Sequence, residues 1–258
     1  MRITYIKHSG FLAEWEDVAC IFDWAEGDLP PISKEKKLYI FVSHAHRDHF
    51  VPELYERCAY HPQRTYILSE DVQPLPPAGE GVTVIRIKPD MRRVITGGAK
   101  GALSVSTLAS TDQGVAFIVN YARQTVYHAG DLHWWAWPDD TPAEERQMKN
   151  AFFDQLMKIK GLKLDAAFLP LDPRLGGNFW MGFDAMMRSC DVKMAFPMHM
   201  WDRYDCVEKL RQMSVAAPYR DRIAKVETPG QVWGLISGSL AAASATAWRS
   251  ASLRFCAR

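Results

Sequence analysis

Through the first half of the chain, apolar residues fall in short runs and alternations broken by turn-forming residues. Residues 2–7, 11–15 and 18–23 carry strand patterning, and 38–42 is a continuous apolar run of strand length. Further strand signals lie at 65–68, 82–87, 103–108, 115–120 and 124–127. Beyond Pro142 the period lengthens, with Phe152, Phe153, Leu156, Met157 and Ile159 forming an apolar helical face to about residue 160. Two more helix signals, 183–189 and 204–213, alternate with buried-strand runs at 166–170 and 194–197. A β-rich half followed by strand–helix alternation predicts an α/β layer architecture, two packed sheets with helices outside. The expected folded unit spans 1–237, and the Ala- and Ser-rich stretch 238–258 is expected to be a loosely ordered tail.

Composition narrows the class without changing that picture. Hydrophobic residues make up 48% and charged residues 24% of the 258, enough for a large core and too little bias for disorder. Lys plus Arg total 31 against 30 Asp plus Glu, so the net charge of +1 supplies no field for gripping nucleic acid or an anionic membrane. The N-terminus lacks a basic segment followed by an apolar one, and no run of about 18 apolar residues occurs, so a soluble, cytoplasmic protein is expected. The five cysteines, Cys20, Cys58, Cys190, Cys206 and Cys256, are scattered and never spaced as a Cys-x-x-Cys pair, which favours reduced, buried thiols.

The chemistry concentrates in Ser43-His44-Ala45-His46-Arg47-Asp48-His49, directly after the apolar strand. Imidazoles and a carboxylate on a loop leaving a strand offer nitrogen and oxygen ligands to a divalent ion. His44 and His46 alternate with Ala45, so an extended backbone points both rings the same way. Asp48 and His49 then lie round the turn, so one loop can feed two adjacent metal positions.

This His-x-His-x-Asp-His string resembles the signature of the metallo-β-lactamase superfamily, and the resemblance runs to about residue 236. It implies an αββα sandwich of two mixed β-sheets flanked by helices, with the metals at one edge of the paired sheets. It also carries two later positions by context. Tyr127-His128-Ala129-Gly130-Asp131 resembles the segment whose aspartate touches both metals, and Ala195-Phe196-Pro197-Met198-His199 ends in the histidine that completes the second site. The implied metal residues are therefore His44, His46, Asp48, His49, Asp131 and His199, with Asp48 and Asp131 also the catalytic pair. The chain departs from the family in the middle, where Leu108-Ala109-Ser110-Thr111-Asp112-Gln113-Gly114 has no histidine. The first position is thus short of a ligand, and Ser110 or Asp112 is the expected replacement.

Around these lie residues with substrate or outer-contact roles. His8 resembles a histidine near the metals in the lactonase-like branch, and His133, close to Asp131, is expected to line the pocket. Arg174, after the 166–170 strand, can bind an anionic group or pair with Asp172. Trp134, Trp135, Trp137, Phe179, Trp180 and Trp201 sit on connections next to the ligands. His128 is expected in the core and His61 in solvent. The implied activity is hydrolysis by a metal-bound hydroxide, on a phosphodiester or lactone of a small metabolite, with one or two ions, zinc ahead of manganese or iron. A non-catalytic metal-binding descendant of the fold is the alternative. The expected partner is a small-molecule substrate, with neither nucleic acid nor membrane.

Overall fold

A computed structural model describes residues 1–236 and the short strand at 239–241. The expectation of a loose tail otherwise lies outside the described residues, as does Cys256. In chain order the elements are β1 (Arg2–Lys7), β2 (Gly10–Glu14), β3 (Val18–Phe22), β4 (Lys37–Val42), α1 (Glu53–Arg57), β5 (Arg64–Ser69), β6 (Val82–Ile87), β7 (Arg92–Ile95), β8 (Leu103–Ala109), β9 (Val115–Tyr121) and β10 (Gln124–His128). There follow α2 (Pro142–Lys158), β11 (Lys163–Leu164), β12 (Ala166–Pro170), α3 (Met181–Ser189), β13 (Asp191–Val192), β14 (Ala195–Met198), α4 (Asp205–Gln212), β15 (Val232–Ile236) and β16 (Ser239–Ala241). Every strand and helix read from the hydrophobic pattern is present. Strands β7, β11, β13, β15 and β16 and the one-turn α1 escape it, being short.

Two mixed sheets form, in the orders β16-β15-β1-β2-β3-β4-β5-β6 and β14-β12-β10-β9-β8-β7. Their inner faces meet in an aromatic core, with Phe11 stacked on Phe168 at 4.2 Å and Phe22 on Phe41 at 4.7 Å. Strands buried on both faces explain why β3, β4 and β12 are almost wholly apolar in sequence. Behind the first sheet, Leu12, Ile21 and Ile40 pack with Trp24, Phe50 and Leu54. Phe152 and Leu156 of α2 and Phe183 of α3 join the main core at the second sheet. Met157, counted on the apolar face of α2, instead stands 58% exposed, one position round from the buried stripe. The helix begins where chemistry dictates: Thr141 and Glu144 cap each other's backbone N–H groups, and Pro142 occupies the first turn.

The two parallel stretches decide where function sits. Strands β3, β4, β5 and β6 run parallel in one sheet, and β10, β12 and β14 in the other. Their carboxyl ends emerge on one edge, the edge of an open α/β sheet where ligands bind. The described cysteines Cys20, Cys58, Cys190 and Cys206 are free and buried, as expected. No described helix is long and apolar enough to cross a membrane.

Candidate metal centre

Five strands of the parallel stretches deliver polar residues to that edge. Asp23 follows β3, His44 to His49 follow β4, Asp131 follows β10, Asp172 follows β12 and His199 follows β14. His8 comes from the turn after β1, where a bulge shifts the pairing with β2. His8, Asp23 and His199 all take positive φ, at 51°, 42° and 61°, so backbone strain is concentrated at the cluster. A backbone bond from His199 N–H to the His8 carbonyl, 3.2 Å, ties the two ends together. Close approach also requires glycine: a Cβ on Gly114 would lie 2.0 Å from the Ser43 carbonyl oxygen.

Besides a third set, Asp23 with His44 and His49, in which Asp23 meets His49 on its Nδ1 side, the side chains form two adjoining groups. His44, His46 and Asp131 make one, and His8, Asp48, His49 and His199 make the other. Asp131 faces both: its Oδ2 lies 3.3 Å from His44 Nε2, while its Oδ1 lies 3.1 Å from His49 Nε2 and 3.6 Å from His199 Nε2. Asp48 Oδ2 lies 3.3 Å from His8 Nε2, 3.4 Å from His199 Nε2 and 3.8 Å from His49 Nε2. The Nε2 atoms of His8, His44, His49 and His199 and Oδ1 of Asp131 are buried without a hydrogen-bond partner among the described residues. Buried polar atoms are normally satisfied, so such convergence calls for a cation. Tetrahedral donors at about 2.0 to 2.1 Å from zinc stand about 3.3 to 3.4 Å apart, close to the separations seen here. The donor set fits a divalent ion.

Outer contacts fix the rings for that task. Asp23, fully buried, accepts from His49 Nδ1 at 2.7 Å and from Ser43 Oγ at 2.5 Å, and Ser43 Oγ in turn lies 2.9 Å from His44 Nδ1. With Ser43 donating to Asp23, its oxygen accepts from His44, so one carboxylate turns the Nε2 lone pairs of both rings inward. Asp172 does the same for His199, accepting from its Nδ1 at 2.9 Å. Such carboxylate–histidine pairs set tautomer and ring orientation in metal sites. Electrostatics agree. Burial disfavours ionised Asp131, but the close imidazoles of His49 and His44, 3.1 and 3.3 Å away, hold it well below the usual carboxylate range. Burial likewise opposes ionised Asp48, and the imidazoles of His199 and His8, 3.4 and 3.3 Å away, overcome it.

Asp112 and Ser110 separate. The Asp112 carboxylate lies 3.6 Å from His46 Nδ1, facing the ligand-poor group, whereas Ser110 Oγ accepts from the Asp112 backbone N–H at 3.1 Å within its own turn. A cavity of about 440 Å³ opens over the cluster, with His46, Asp48, Asp112 and Asp131 on its floor and Trp135, Trp137, Trp201 and Arg174 on its walls. His133 does not reach that lining; it is buried against Trp135 and Phe152, with its ring close over Gly182. Trp134 also turns away, edge-on to Phe153. His128 is in the core as expected, 2.9 Å from the Ser9 carbonyl through Nε2 and accepting from Gly130 N–H at Nδ1. His61 is a correction: instead of facing solvent it is fully buried, its Nδ1 2.8 Å from the Gln63 carbonyl and its Nε2 3.3 Å from the Ser33 carbonyl, because the turn lies against the loop that carries Ser33.

Sequence reasoning passed over Asp23 and gave Asp172 no role beyond a surface ion pair. The available signal was positional, since each is an aspartate closing an apolar strand, as Asp131 is. A sequence model of the beta-lactamase superfamily domain matches residues 2–145, more than half of the chain. A metal-dependent hydrolase of Opitutus terrae is 30% identical over 219 residues, 77% of this chain and 84% of that protein. A metal-dependent hydrolase of Nanoarchaeum equitans is 26% identical over 238 residues, 84% of this chain and 95% of that one. A solved metallo hydrolase of the archaeon Ignicoccus hospitalis shares the fold, with a TM-score of 0.57 at 17% identity, covering 90% of this chain and 96% of the other. With the αββα sandwich, the histidine- and aspartate-lined edge and these relatives in agreement, the chain belongs to the beta-lactamase superfamily, as one of its metal-dependent hydrolases.

Proposed function

We propose that the protein hydrolyses an ester-type bond, a phosphodiester or a lactone, in a small metabolite, using one or two divalent ions with zinc ahead of manganese or iron. The observation that carries this reading is the set of unpartnered imidazole nitrogens converging on Asp131 and Asp48 beneath an open cavity. His44, His46 and Asp131 would hold one ion, with Asp112 beside them, and His8, Asp48, His49 and His199 the other. A bound divalent ion lowers the pKa of its water from about 15.7 towards about 7 and polarises the bond to be cut. Asp48, half-buried on the cavity floor and held ionised, would take the proton of the attacking water. Asp23 and Asp172, accepting from Nδ1, would hold His49 and His199 in the tautomer and orientation that leave Nε2 free for the ion. The described cysteines do not compete as nucleophiles, since burial pushes Cys58 and Cys206 up to about 12 and Cys190 to about 11.

The test is elemental analysis of metal-replete protein, paired with hydrolysis of a panel of phosphodiesters and lactones before and after chelation. Between one and two equivalents of metal and chelator-sensitive turnover of at least one class are expected. Failure to take up metal on titration, or turnover indifferent to chelation, would refute the reading.

A further inference from the structure

Arg174 stands apart from every other charged side chain near the centre. It is the one lysine or arginine among the described residues lining the cavity, opposite Asp48, Asp112 and Asp131. Its Nε and Nη2 donate to the buried Asp172 carboxylate at 2.9 and 2.5 Å, which fixes the guanidinium plane. Asp172 does not depend on it, since that carboxylate also accepts from His199 Nδ1 at 2.9 Å, Trp201 Nε1 at 3.2 Å and the Arg174 backbone N–H at 2.8 Å. Nη1 has no partner among the described residues, and the side chain is 43% exposed. The guanidinium lies 4.4 Å from the Trp201 ring and 5.5 Å from Trp137. Trp137 and Trp201 are themselves 38% and 42% exposed, an unusual cost for large aromatic rings at a cavity mouth. Trp135 continues the wall, stacked parallel to Trp137 with centroids 6.0 Å apart.

We propose that Arg174 anchors an anionic group of the substrate, a carboxylate or a phosphate, while the tryptophan wall takes a flat apolar portion of the same molecule. This rests on the hydrolase reading above and names the substrate class for it. An arginine held flat by one carboxylate and two rings loses little conformational freedom on binding, and its remaining fork of donors matches an oxyanion. Cation–π contact keeps the guanidinium in place when the site desolvates.

The experiment titrates metal-loaded protein with benzoate, phenyl phosphate and neutral benzamide, following tryptophan fluorescence, in the wild type, Arg174→Gln and Arg174→Lys. Saturable binding of at least one anion is expected in the wild type, weakened about tenfold or more in Arg174→Gln. Arg174→Lys should recover only part of the loss, because a point charge lacks the planar fork. Benzamide should not distinguish the variants, and the tighter of the two anions identifies the group recognised. Elemental analysis should give the same metal content in all three proteins. Repeating the titration after chelation separates the two readings: a metal-free wild type that still prefers the anions over Arg174→Gln supports the anchor whatever the metal does. No saturable anion binding by the wild type, equal binding by Arg174→Gln, or metal loss in Arg174→Gln would overturn the anchor role.

Discussion

Asp23→Asn is the sharpest probe of the centre, because it changes one buried group that touches no substrate and lies outside both ligand groups. The substitution is nearly isosteric, and asparagine tolerates the left-handed backbone at φ 42° about as well as aspartate, so the local fold should persist. The retained amide oxygen can still accept the Ser43 N–H, now bonded at 2.7 Å. The other position changes from acceptor to donor and meets His49 Nδ1–H at 2.7 Å and Ser43 O–H at 2.5 Å. Either a buried donor is stranded, at about 1 to 3 kcal/mol, or the His49 ring changes tautomer and presents N–H where a lone pair is needed. Loss of an outer carboxylate partner lowers metal affinity about 10- to 100-fold, or about 1.4 to 2.8 kcal/mol. His49 touches Asp23 directly and His44 only through Ser43, so the drop should be about 100-fold at the His49 position and about tenfold at the His44 position. Zinc competition against a chromophoric chelator reads both, with far-UV circular dichroism to confirm folding. A folded variant that binds zinc as the wild type does at both positions would refute the orienting role of Asp23.

Other substitutions separate the remaining roles. Asp131→Ala should abolish turnover and lose at least one metal equivalent, whereas His8→Ala should weaken only the Asp48 group; elemental analysis with kcat for both variants checks this. Asp112→Ala should lower affinity at the His44 and His46 position about tenfold, while Ser110→Ala leaves it unchanged, because only Asp112 faces His46. Burial, aided by the His199 charge, pushes the His133 imidazole down to about 3 from 6.5. The unfolded chain therefore takes up that proton first, so the native state loses stability as pH falls from 6.5 towards about 3, by about 2 kcal/mol at pH 5. His133→Leu should flatten this part of the pH–stability curve in chemical denaturation, and an unchanged slope would count against a buried neutral imidazole.

Much of the molecule is legible in one dimension, and the reason is locality. Strand and helix periodicities are local, so the buried runs that became β4 and β12 and the Pro142 helix start stand out unaided. The His44 to His49 string is equally local, since a single turn after a single strand supplies ligands to both groups. Asp131 and His199 were reachable only through resemblance, and Asp23 and Asp172 carry no more than their place after an apolar strand, because their importance depends on which strand ends the two sheets bring to one edge. No sequence spacing announces that the turn after β1 sets His8 3.3 Å from Asp48, or that Asp112 rather than Ser110 faces His46. His61 shows the same limit from the other side: its turn-like surroundings suggest exposure, and only the tertiary approach of the Ser33 loop to its ring encloses it. Donor type and order belong to the sequence, whereas which donors converge is fixed by sheet pairing between residues nearly two hundred positions apart, where the carboxyl ends of β3, β4, β10, β12 and β14 meet the turn after β1.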